Sequence, residues 1–307
     1  MHPFRFAVQQ GSARSGEAWA TTARRAESIG YDMLVMPDHL SRQLSPFAAL
    51  AAAAAATTRL RIGAFVFAND YRHPLILARE AATLDFLSGG RFEMGLGAGW
   101  MTTDYRQLGM TYEPAPRRID RLEEAIPLIK QFLAGETVTH NGTHYHLDRA
   151  STGVPPVQKP RPPLAIGGGG PRMLRLAVRE AEIVGLVPGF DAHGRPHFRQ
   201  ATETATAEKV ALIHEAAGDR FDRLELNLWL GDAALVGSGN SLLGSVAAAA
   251  RWAPTAVYGS PYVLYGTLAS VREKLLRRRD KLGIGYYTVP SHAMESMAPL
   301  VGALAGK

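Results

Sequence analysis

The sequence of 307 residues contains no cysteine and only six lysines among its 34 basic residues. Without cysteine the chain cannot form disulfides, present a thiolate nucleophile or hold an iron–sulfur cluster through its own thiolates. The chemistry of an active site must therefore come from histidine, carboxylates, aromatic side chains, the backbone or a bound cofactor.

Long apolar runs are also lacking. The most uniform apolar tract, Phe47–Ala56, is too short and too weakly hydrophobic to span a bilayer. The first residues, Met1–Gln10, turn polar before an apolar signal-peptide centre develops. With 46% hydrophobic and 20% charged residues, the composition is that of a globular protein. We therefore expect a soluble cytoplasmic protein with no membrane partner.

The formal net charge is +6, but the only dense basic run is Arg277–Arg279. It lies in a helical pattern with Glu273 and Asp280, which is typical of a solvated helix face. No aromatic residues alternate with this run, as they do in proteins that bind single-stranded nucleic acid. We therefore predict no nucleic-acid partner, while the excess positive charge remains compatible with an anionic small ligand.

Strand-like and helical patterns alternate along the chain. Eight apolar strand patterns occur, at Phe4–Gln10, Met33–Leu40, Leu60–Asp70, Arg91–Trp100, Pro163–Ile166, Glu182–Gly189, Arg223–Gly231 and Ile284–Pro290. This alternation indicates an α/β fold with a parallel sheet buried on both faces. Their number and the chain length favour a closed (β/α)8 TIM barrel over an open doubly wound sheet. We expect residues 1–307 to form a single domain. Asn141-Gly142 predicts a hairpin with a two-residue turn within Glu136–Gly153.

The fold predicts where the chemistry lies, because active sites of such barrels occupy the C-terminal ends of the strands. These ends hold most of the unusual residues of the sequence: Pro37–His39, Phe67–Asp70, Gly95–Trp100, Ile166–Gly170 and Leu186–Gly189.

Four successive glycines, Gly167–Gly170, stand between a strand pattern and a helix that begins with Pro171. Backbone N–H groups and the helix dipole favour an anion at such a junction, and glycine allows a phosphate to approach the main chain. Arg172 or Arg175 would add positive charge. The alternative is a flexible loop without a ligand.

The run Gly95–Trp100 resembles a dinucleotide-binding fingerprint but fails it, because Trp100 stands where glycine or alanine is required. We interpret Gly97–Gly99 instead as backbone that lies flat against a planar ligand.

Asp38 and His39 are adjacent at a strand end. Histidine is suited to general acid or base catalysis near neutral pH, and a carboxylate can accept a hydrogen bond from a ligand N–H. The alternative is a helix cap or a structural ion pair.

His140, His144 and His146, with Asp148, raise the question of zinc. We favour histidines on the surface of a hairpin and predict no metal. A G-x-S-x-G nucleophile elbow is also missing from the sequence.

Three stretches carry a resemblance to a known family: Leu60–Trp100, Ala165–Glu182 and Tyr265–Gly283. They resemble the bacterial luciferase-like monooxygenase superfamily and, within it, the branch of oxidoreductases that use the deazaflavin coenzyme F420. The resemblance extends over nearly the whole chain and is weakest over Asp191–Gly259. It implies a (β/α)8 barrel with an inserted segment and a ring-shaped coenzyme at the strand ends.

The resemblance also implies roles for individual residues. Asp38 would touch the polar edge of the ring, His39 would face the substrate, and the Phe65–Val66 peptide would be cis and form a bulge behind the ring. The residues expected to line the coenzyme are Ala68, Asn69, Ala98, Gly99 and Thr103, and those expected to hold its phosphate are Gly168, Gly169, Gly170, Arg172 and Met173. Trp100 replaces a catalytic glutamate of the sugar-phosphate dehydrogenases of this branch, which favours an apolar or planar substrate in this pocket.

We therefore expect an F420-dependent oxidoreductase that transfers a hydride between the deazaflavin and a small organic substrate. Asp38 would orient the ring, and His39 would donate or accept the proton. One alternative is an FMN-dependent luciferase-like monooxygenase, and another is a protein that binds F420 without turnover. The resemblance further implies a homodimer.

Overall fold

The computed structural model describes residues 2–191, 197–235 and 260–307. The strands in these ranges are β1 (Arg5–Gln9), β2 (Met33–Met36), β3 (Arg61–Ala64), β4 (Phe67–Ala68), β5 (Phe92–Gly97), β6 (Val138–Asn141), β7 (His146–Ala150), β8 (Leu164–Gly168), β9 (Ile183–Leu186), β10 (Glu225–Trp229), β11 (Asp232–Leu235), β12 (Val263–Gly266) and β13 (Ile284–Pro290). The α-helices are α1 (Gly16–Ile29), α2 (Pro46–Ala56), α3 (Pro74–Leu87), α4 (Thr102–Gln107), α5 (Ala115–Ala134), α6 (Pro171–Glu180), α7 (Glu203–Ala217), α8 (Leu268–Leu282) and α9 (Ala298–Leu304).

The main sheet closes into a parallel barrel. Its strands follow the order β3-β2-β1-β13-β10-β9-β8-β5, and β5 pairs with both β3 and β4, which completes the ring. All eight strand patterns of the sequence form strands of this barrel. The prediction of a (β/α)8 TIM barrel is therefore confirmed. None of the described helices has the length and apolarity that crossing a bilayer requires.

The third barrel strand is interrupted and consists of β3 and β4, whereas the sequence predicted one continuous strand over Leu60–Asp70. β3 ends at Ala64, the Phe65–Val66 peptide is cis as the resemblance implied, and β4 is followed by a 3-10 turn. Glycines on neighbouring strands make room for this bulge. A Cβ on Gly97 would lie 2.6 Å from Cγ2 of Val66, and one on Gly185 would collide with the Phe65 ring.

The hairpin forms, but its predicted two-residue turn is wrong. Asn141 pairs with His146, so the connection is the four-residue segment Gly142–Tyr145. The carboxylate of Glu124 on α5 accepts hydrogen bonds from three successive N–H groups of that segment. This contact to a distant helix stabilises a wider connection than the local Asn-Gly signal indicates.

Two further strands, β11 and β12, pair in parallel outside the barrel, with Asp232 opposite Val263. The sequence did not indicate them, because each is only four residues long and neither alternates polar and apolar residues. Within Asp191–Gly259, where the family resemblance is weakest, residues 192–196 and 236–259 lie outside the described residues.

The interior of the barrel is a small apolar cluster. Phe65 packs against this cluster from the bulge, and its members are Ala7, Met33, Val35, Ala165, Ile183 and Tyr286. A larger core fills the space between the strands and the surrounding helices. At the N-terminal end of the barrel, Glu93 pairs with Arg5 and Arg61, and Arg5 also pairs with Glu225. The bulge therefore lies between the apolar interior and the C-terminal end.

Candidate active site

A cavity of about 410 Å³ opens at the C-terminal ends of the barrel strands. This volume lies in the range of small-molecule binding sites, roughly 300–1,000 Å³. Its lining comes from the C-terminal ends of seven of the eight barrel strands and from the segments that follow them. The lining residues are Gln9, Pro37, Asp38, His39, Phe65, Val66, Ala68, Tyr71, Gly97, Ala98, Gly99, Trp100, Gly167, Gly168, Gly169, Met173, Val187, Gly189, Phe190 and Trp229.

Small residues and the bulge form one wall of the cavity. Phe65 packs against the apolar interior of the barrel, and the Val66 side chain packs beside Gly97 and Gly167. Gly99 has a φ of +73°, and a Cβ there would collide with the Tyr105 hydroxyl, so only glycine fits this position. The wall therefore exposes mostly backbone and short side chains, which suits contact with a flat molecule.

Asp38 borders the cavity, but other groups of the protein hold its carboxylate. Arg72 donates to both oxygens, at 2.6 and 2.9 Å, and the backbone N–H of Ala68 donates to one of them at 3.0 Å. The side chain of Asp38 is almost completely buried. Its clearest function in this structure is to fasten the end of β2 to β4, just beyond the bulge.

His39 forms a hydrogen-bonded pair with Asp104, which the sequence analysis did not identify. Its Nδ1 lies 2.7 Å from Oδ2 of Asp104, and the imidazole is partly exposed at the cavity. A carboxylate oxygen accepts, so the hydrogen of the neutral ring belongs on Nδ1. Nε2 is then the nitrogen that can accept or return a proton at the cavity.

Asp104 is fully buried on α4 and has two further donors. The Tyr71 hydroxyl donates to Oδ2 at 3.1 Å, and the backbone N–H of Leu40 donates to Oδ1 at 3.2 Å. Burial and the neighbouring Asp104 raise the pKa of Tyr71 above its ordinary value, so its hydroxyl stays a donor. The only sequence signal for Asp104 was its position in a polar segment shortly after Gly99.

Three aromatic residues line the side of the cavity next to His39. The ring of Trp100 meets His39 edge-on, with centroids 5.4 Å apart, and stacks on Phe190 at 5.2 Å. Phe190 meets Trp229 edge-on at 5.6 Å. Trp229 donates its indole N–H to the side-chain oxygen of Gln9. Trp100 was predicted for the substrate pocket, whereas Phe190 and Trp229 become neighbours only in the folded barrel.

The glycine run has a structural explanation for three of its four members. A Cβ on Gly168 would lie 2.6 Å from Cβ of Met173, and one on Gly169 would lie 2.7 Å from the carbonyl oxygen of Val187. A Cβ on Gly167 would meet a looser limit, at 3.1 Å from Cγ1 of Val66. Gly170 has open space around it and caps the N-terminus of α6. Close packing alone therefore requires glycine at 168 and 169 and leaves little room for a side chain at 167, with or without a phosphate.

Four of the predicted coenzyme-binding residues lie away from the lining of the cavity. Asn69 is buried and donates to the Tyr145 hydroxyl, Thr103 is exposed, and Gly170 lies just outside. The guanidinium of Arg172 pairs with Asp120 and Glu123 on α5, at 2.6 Å each. Their contact with a coenzyme stays a prediction. The cavity does receive the other predicted residues, from Asp38 and His39 to Met173.

The described lining contains no lysine or arginine, and Asp38 is neutralised by Arg72 behind it. Within the described ranges, no group of three histidines or carboxylates is arranged to hold a metal ion. The part of the site that the structure describes is therefore largely apolar, with His39 and Tyr71 as its available proton-carrying groups.

We compared the sequence with models of protein families and with curated proteins, and a family model matches most of the chain. The sequence model of a family described as luciferase-like monooxygenase matches residues 1–212, more than two thirds of the chain. Among curated proteins, an F420-dependent glucose-6-phosphate dehydrogenase from Microbacterium testaceum is 38% identical over 165 residues. That alignment covers 51% of this chain and 48% of the relative, so the chain matches about half of the relative's length.

Solved structures share the fold over the whole chain. The coenzyme F420-dependent tetrahydromethanopterin reductase from Methanopyrus kandleri superimposes with a TM-score of 0.80 at 18% identity, covering 98% of this chain and 99% of that one. The monooxygenase RslO1 from Streptomyces bottropensis superimposes with a TM-score of 0.75 at 19% identity, covering 97% and 99%. Enzymes named for different reactions thus share this barrel, and at these identities the likeness concerns the fold alone.

Proposed function

The chain belongs to the luciferase-like monooxygenase family, and from that premise we propose that it is an oxidoreductase that uses coenzyme F420. The reaction would transfer a hydride between the deazaflavin and a small organic substrate. The observation that carries this proposal is the cavity in which a proton-carrying His39–Asp104 pair faces a flat wall of small residues. The name of the Microbacterium testaceum relative, which shares 38% of the aligned residues, supports the choice of F420.

The residues present fit a planar tricyclic coenzyme. A cavity of about 410 Å³ with a wall of glycine, alanine and the Phe65–Val66 backbone leaves room for a flat ring. The short side chains of Ala68 and Ala98 and the glycine at position 99 would contact the ring, as the resemblance implies. Gly168, Gly169 and Met173 line the cavity and would border the phosphate-bearing chain, and Gly170 leaves open space beside the N-terminus of α6. When bound, F420 supplies the carbon that accepts or donates the hydride.

His39 would handle the proton that accompanies hydride transfer. With Nδ1–H directed at Asp104, the imidazole is fixed in orientation and presents Nε2 as the acceptor for a substrate hydroxyl proton. In the reverse direction the same nitrogen donates a proton to the developing oxygen or carbon. Asp104 is a positioning residue, because it contacts His39 and not the cavity itself.

The aromatic side of the cavity would receive the substrate. Trp100, Phe190 and Trp229 present apolar faces beside His39, and they would exclude water from the reacting atoms. Because the described lining holds no cationic side chain, we propose a neutral, apolar or planar substrate over a sugar phosphate.

Equilibrium binding to oxidised F420 and to FMN, measured side by side on the purified protein, tests the cofactor. Tight binding of F420 with weak binding of FMN supports the proposal, and enones, imines and secondary alcohols are then the first substrates to assay. Tight binding of FMN alone contradicts the proposal.

An FMN-dependent monooxygenase is the second candidate, because the family description and the name of RslO1 both contain the word monooxygenase. Oxygen consumption with a flavin reductase would support it. F420 binding without turnover of any substrate would favour the third candidate, a binding protein.

We also propose that the chain forms a homodimer, as the resemblance implies. Ile76, Phe86 and Leu87 of α3 expose apolar side chains, which is consistent with a contact surface on this helix. Light scattering after size-exclusion chromatography would give the mass of the assembly directly.

A further inference from the structure

We propose that Lys209 is a positioning residue whose ammonium group holds the Val187–Phe190 wall of the cavity in its binding-competent arrangement. Lys209 lies on α7, outside the cavity lining, and the mechanism proposed above does not use it. The inference deepens the proposed function, because it concerns how the same cavity is kept in shape. It does not depend on the identity of the cofactor or of the substrate.

The geometry around Lys209 is that of a clamp. Its side chain is buried, and Nζ donates to the carbonyl oxygen of Val187 at 2.8 Å and to that of Gln200 at 3.3 Å. A third, longer contact reaches the Tyr262 hydroxyl at 3.4 Å, and the ammonium lies 5.7 Å from the centroid of that ring. The ammonium group of Lys209 thus links three segments, namely Val187 after β9, Gln200 before α7 and Tyr262 before β12.

The carbonyl that Lys209 holds belongs to the cavity wall. Val187 lines the cavity, and its oxygen lies so close to Gly169 that a Cβ there would be only 2.7 Å away. Two residues further on, Gly189 and Phe190 also line the cavity, and Phe190 stacks on Trp100. Movement of the Val187 carbonyl would therefore disturb both the glycine run and the aromatic side of the site.

The charge of Lys209 is not balanced by a carboxylate. In the ranges that the structure describes, no carboxylate oxygen lies within salt-bridge distance of Nζ, so its acceptors are neutral oxygens. The Tyr262 hydroxyl that faces it is neutral, because burial raises the pKa of that phenol to about 12.

Several charged side chains on the elements packed against α7 pair with groups other than Lys209. On α6, which contacts α7, Arg172 and Arg179 pair with Glu123 of α5. Arg278 of α8 lies 3.7 Å from Glu203 at the start of α7. Burial lowers the pKa of Lys209 from its ordinary value to about 8. The ammonium therefore loses its proton within an accessible pH range, and the clamp weakens as the pH rises through that value.

The test compares Lys209→Met with Lys274→Met, a matched control that removes a half-buried lysine on α8 away from the cavity. The first readout is amide hydrogen exchange of the segment Ile183–Phe190 in the protein without added ligand. At pH 7, we expect Lys209→Met to exchange this segment about tenfold faster than the wild type, because charge-assisted hydrogen bonds are lost. Lys274→Met should match the wild type.

The pH profile separates positioning from general support of the fold. The rate ratio between Lys209→Met and the wild type should fall toward one as the pH rises from 7 to 9.5, since the wild type loses the same charge. The global free energy of unfolding of the wild type should increase with pH relative to the variant, although the contact between Lys209 and Val187 weakens. The unfolded chain keeps this proton up to a pKa of about 10.4, so between pH 8 and 10 the wild type gains stability relative to Lys209→Met.

Equal exchange of Ile183–Phe190 in the wild type and Lys209→Met at pH 7 would overturn the inference, as would a ratio that does not change with pH. If Lys209→Met does not fold, the wild type alone decides. Its Ile183–Phe190 exchange, corrected for intrinsic rates, must rise above that of the β1 segment between pH 7 and 9.5, and a flat ratio would contradict the clamp.

Binding of F420 forms a separate arm. A higher dissociation constant for F420 in Lys209→Met, but not in Lys274→Met, would extend the inference to ligand binding. Failure of the wild type to bind F420 would contradict the proposed function and leave the exchange result standing.

Discussion

The two ends of the barrel solve the problem of buried polar groups in different ways. At the N-terminal end, Glu93 is enclosed by Arg5 and Arg61, and each charged group has a partner within the protein. At the C-terminal end, Asp104 is just as buried, but its partner His39 still borders an open cavity. Groups at the first end serve stability, whereas those at the second keep one face available for a ligand.

The glycines show the same contrast. Near the bulge, glycines accept the side chains of Phe65 and Val66 and let strands approach closely. Gly170, at the mouth of the cavity, has nothing within contact distance of an added Cβ. The glycines near the bulge are therefore explained by packing, whereas Gly170 leaves room for a ligand beside the N-terminus of α6.

The largest expected effect is at the cavity. His39→Gln should lower turnover by about 10²–10⁴-fold, because the proton would lose its donor or acceptor. The free energy of unfolding and the dissociation constant of F420 should stay close to the wild-type values. Steady-state kinetics measures turnover, fluorescence titration measures the dissociation constant, and urea denaturation measures the free energy of unfolding. Full turnover in this variant would remove His39 from the mechanism.

At the opposite end, Glu93→Gln should lower the free energy of unfolding by about 3 kcal/mol, because it leaves Arg61 and Arg5 with an incomplete ion pair in a mostly buried setting. Urea denaturation measures the change. Coenzyme binding should be unaffected at temperatures where the variant remains folded. A loss of binding larger than the loss of stability would break the proposed division between the two ends.

Asp104→Asn should have an intermediate effect, which steady-state kinetics measures. The amide cannot stabilise a positively charged imidazole, so turnover should fall by about tenfold or more. His39→Gln combined with Asp104→Asn should be no slower than His39→Gln alone. Additive losses would mean that the two residues act independently.

The smallest expected effect concerns Arg172, which pairs with two carboxylates outside the cavity. Arg172→Met should change F420 affinity by less than about threefold if those exposed ion pairs persist when the coenzyme is bound. A tenfold or greater loss would show instead that Arg172 leaves Asp120 and Glu123 to contact the phosphate, as the family resemblance implied. Arg179→Met is the matched control on the same helix.

Much of the site could be located from the sequence because β/α alternation places strand ends together. His39, Gly99 and Trp100 all lie at the C-terminal ends of predicted strands, and the structure brings them to one cavity. Asp104 and Phe190 were not found, because they lie on segments beyond the strands whose positions depend on how far each segment folds back over the barrel. Trp229 ends β10, inside a predicted strand, but the strand pattern alone does not show which residue at a strand end reaches the cavity. Arg172 lies two residues after the glycine run in the sequence, but its guanidinium pairs with acidic side chains of α5.

The sequence by itself determined the number of apolar strand patterns, which together with the chain length favours eight parallel strands closed into a barrel. Glycine and proline also indicated where several helices begin or end, since they restrict or permit particular backbone angles locally, but the strand pattern did not predict the interruption between β3 and β4. Only the tertiary structure decided which polar atoms meet. The pairing of His39 with Asp104 and the attachment of Lys209 to Val187 depend on distances between segments far apart in the chain. Such distances are set by the packing of the whole barrel, because no local pattern encodes the separation of two side chains on different elements.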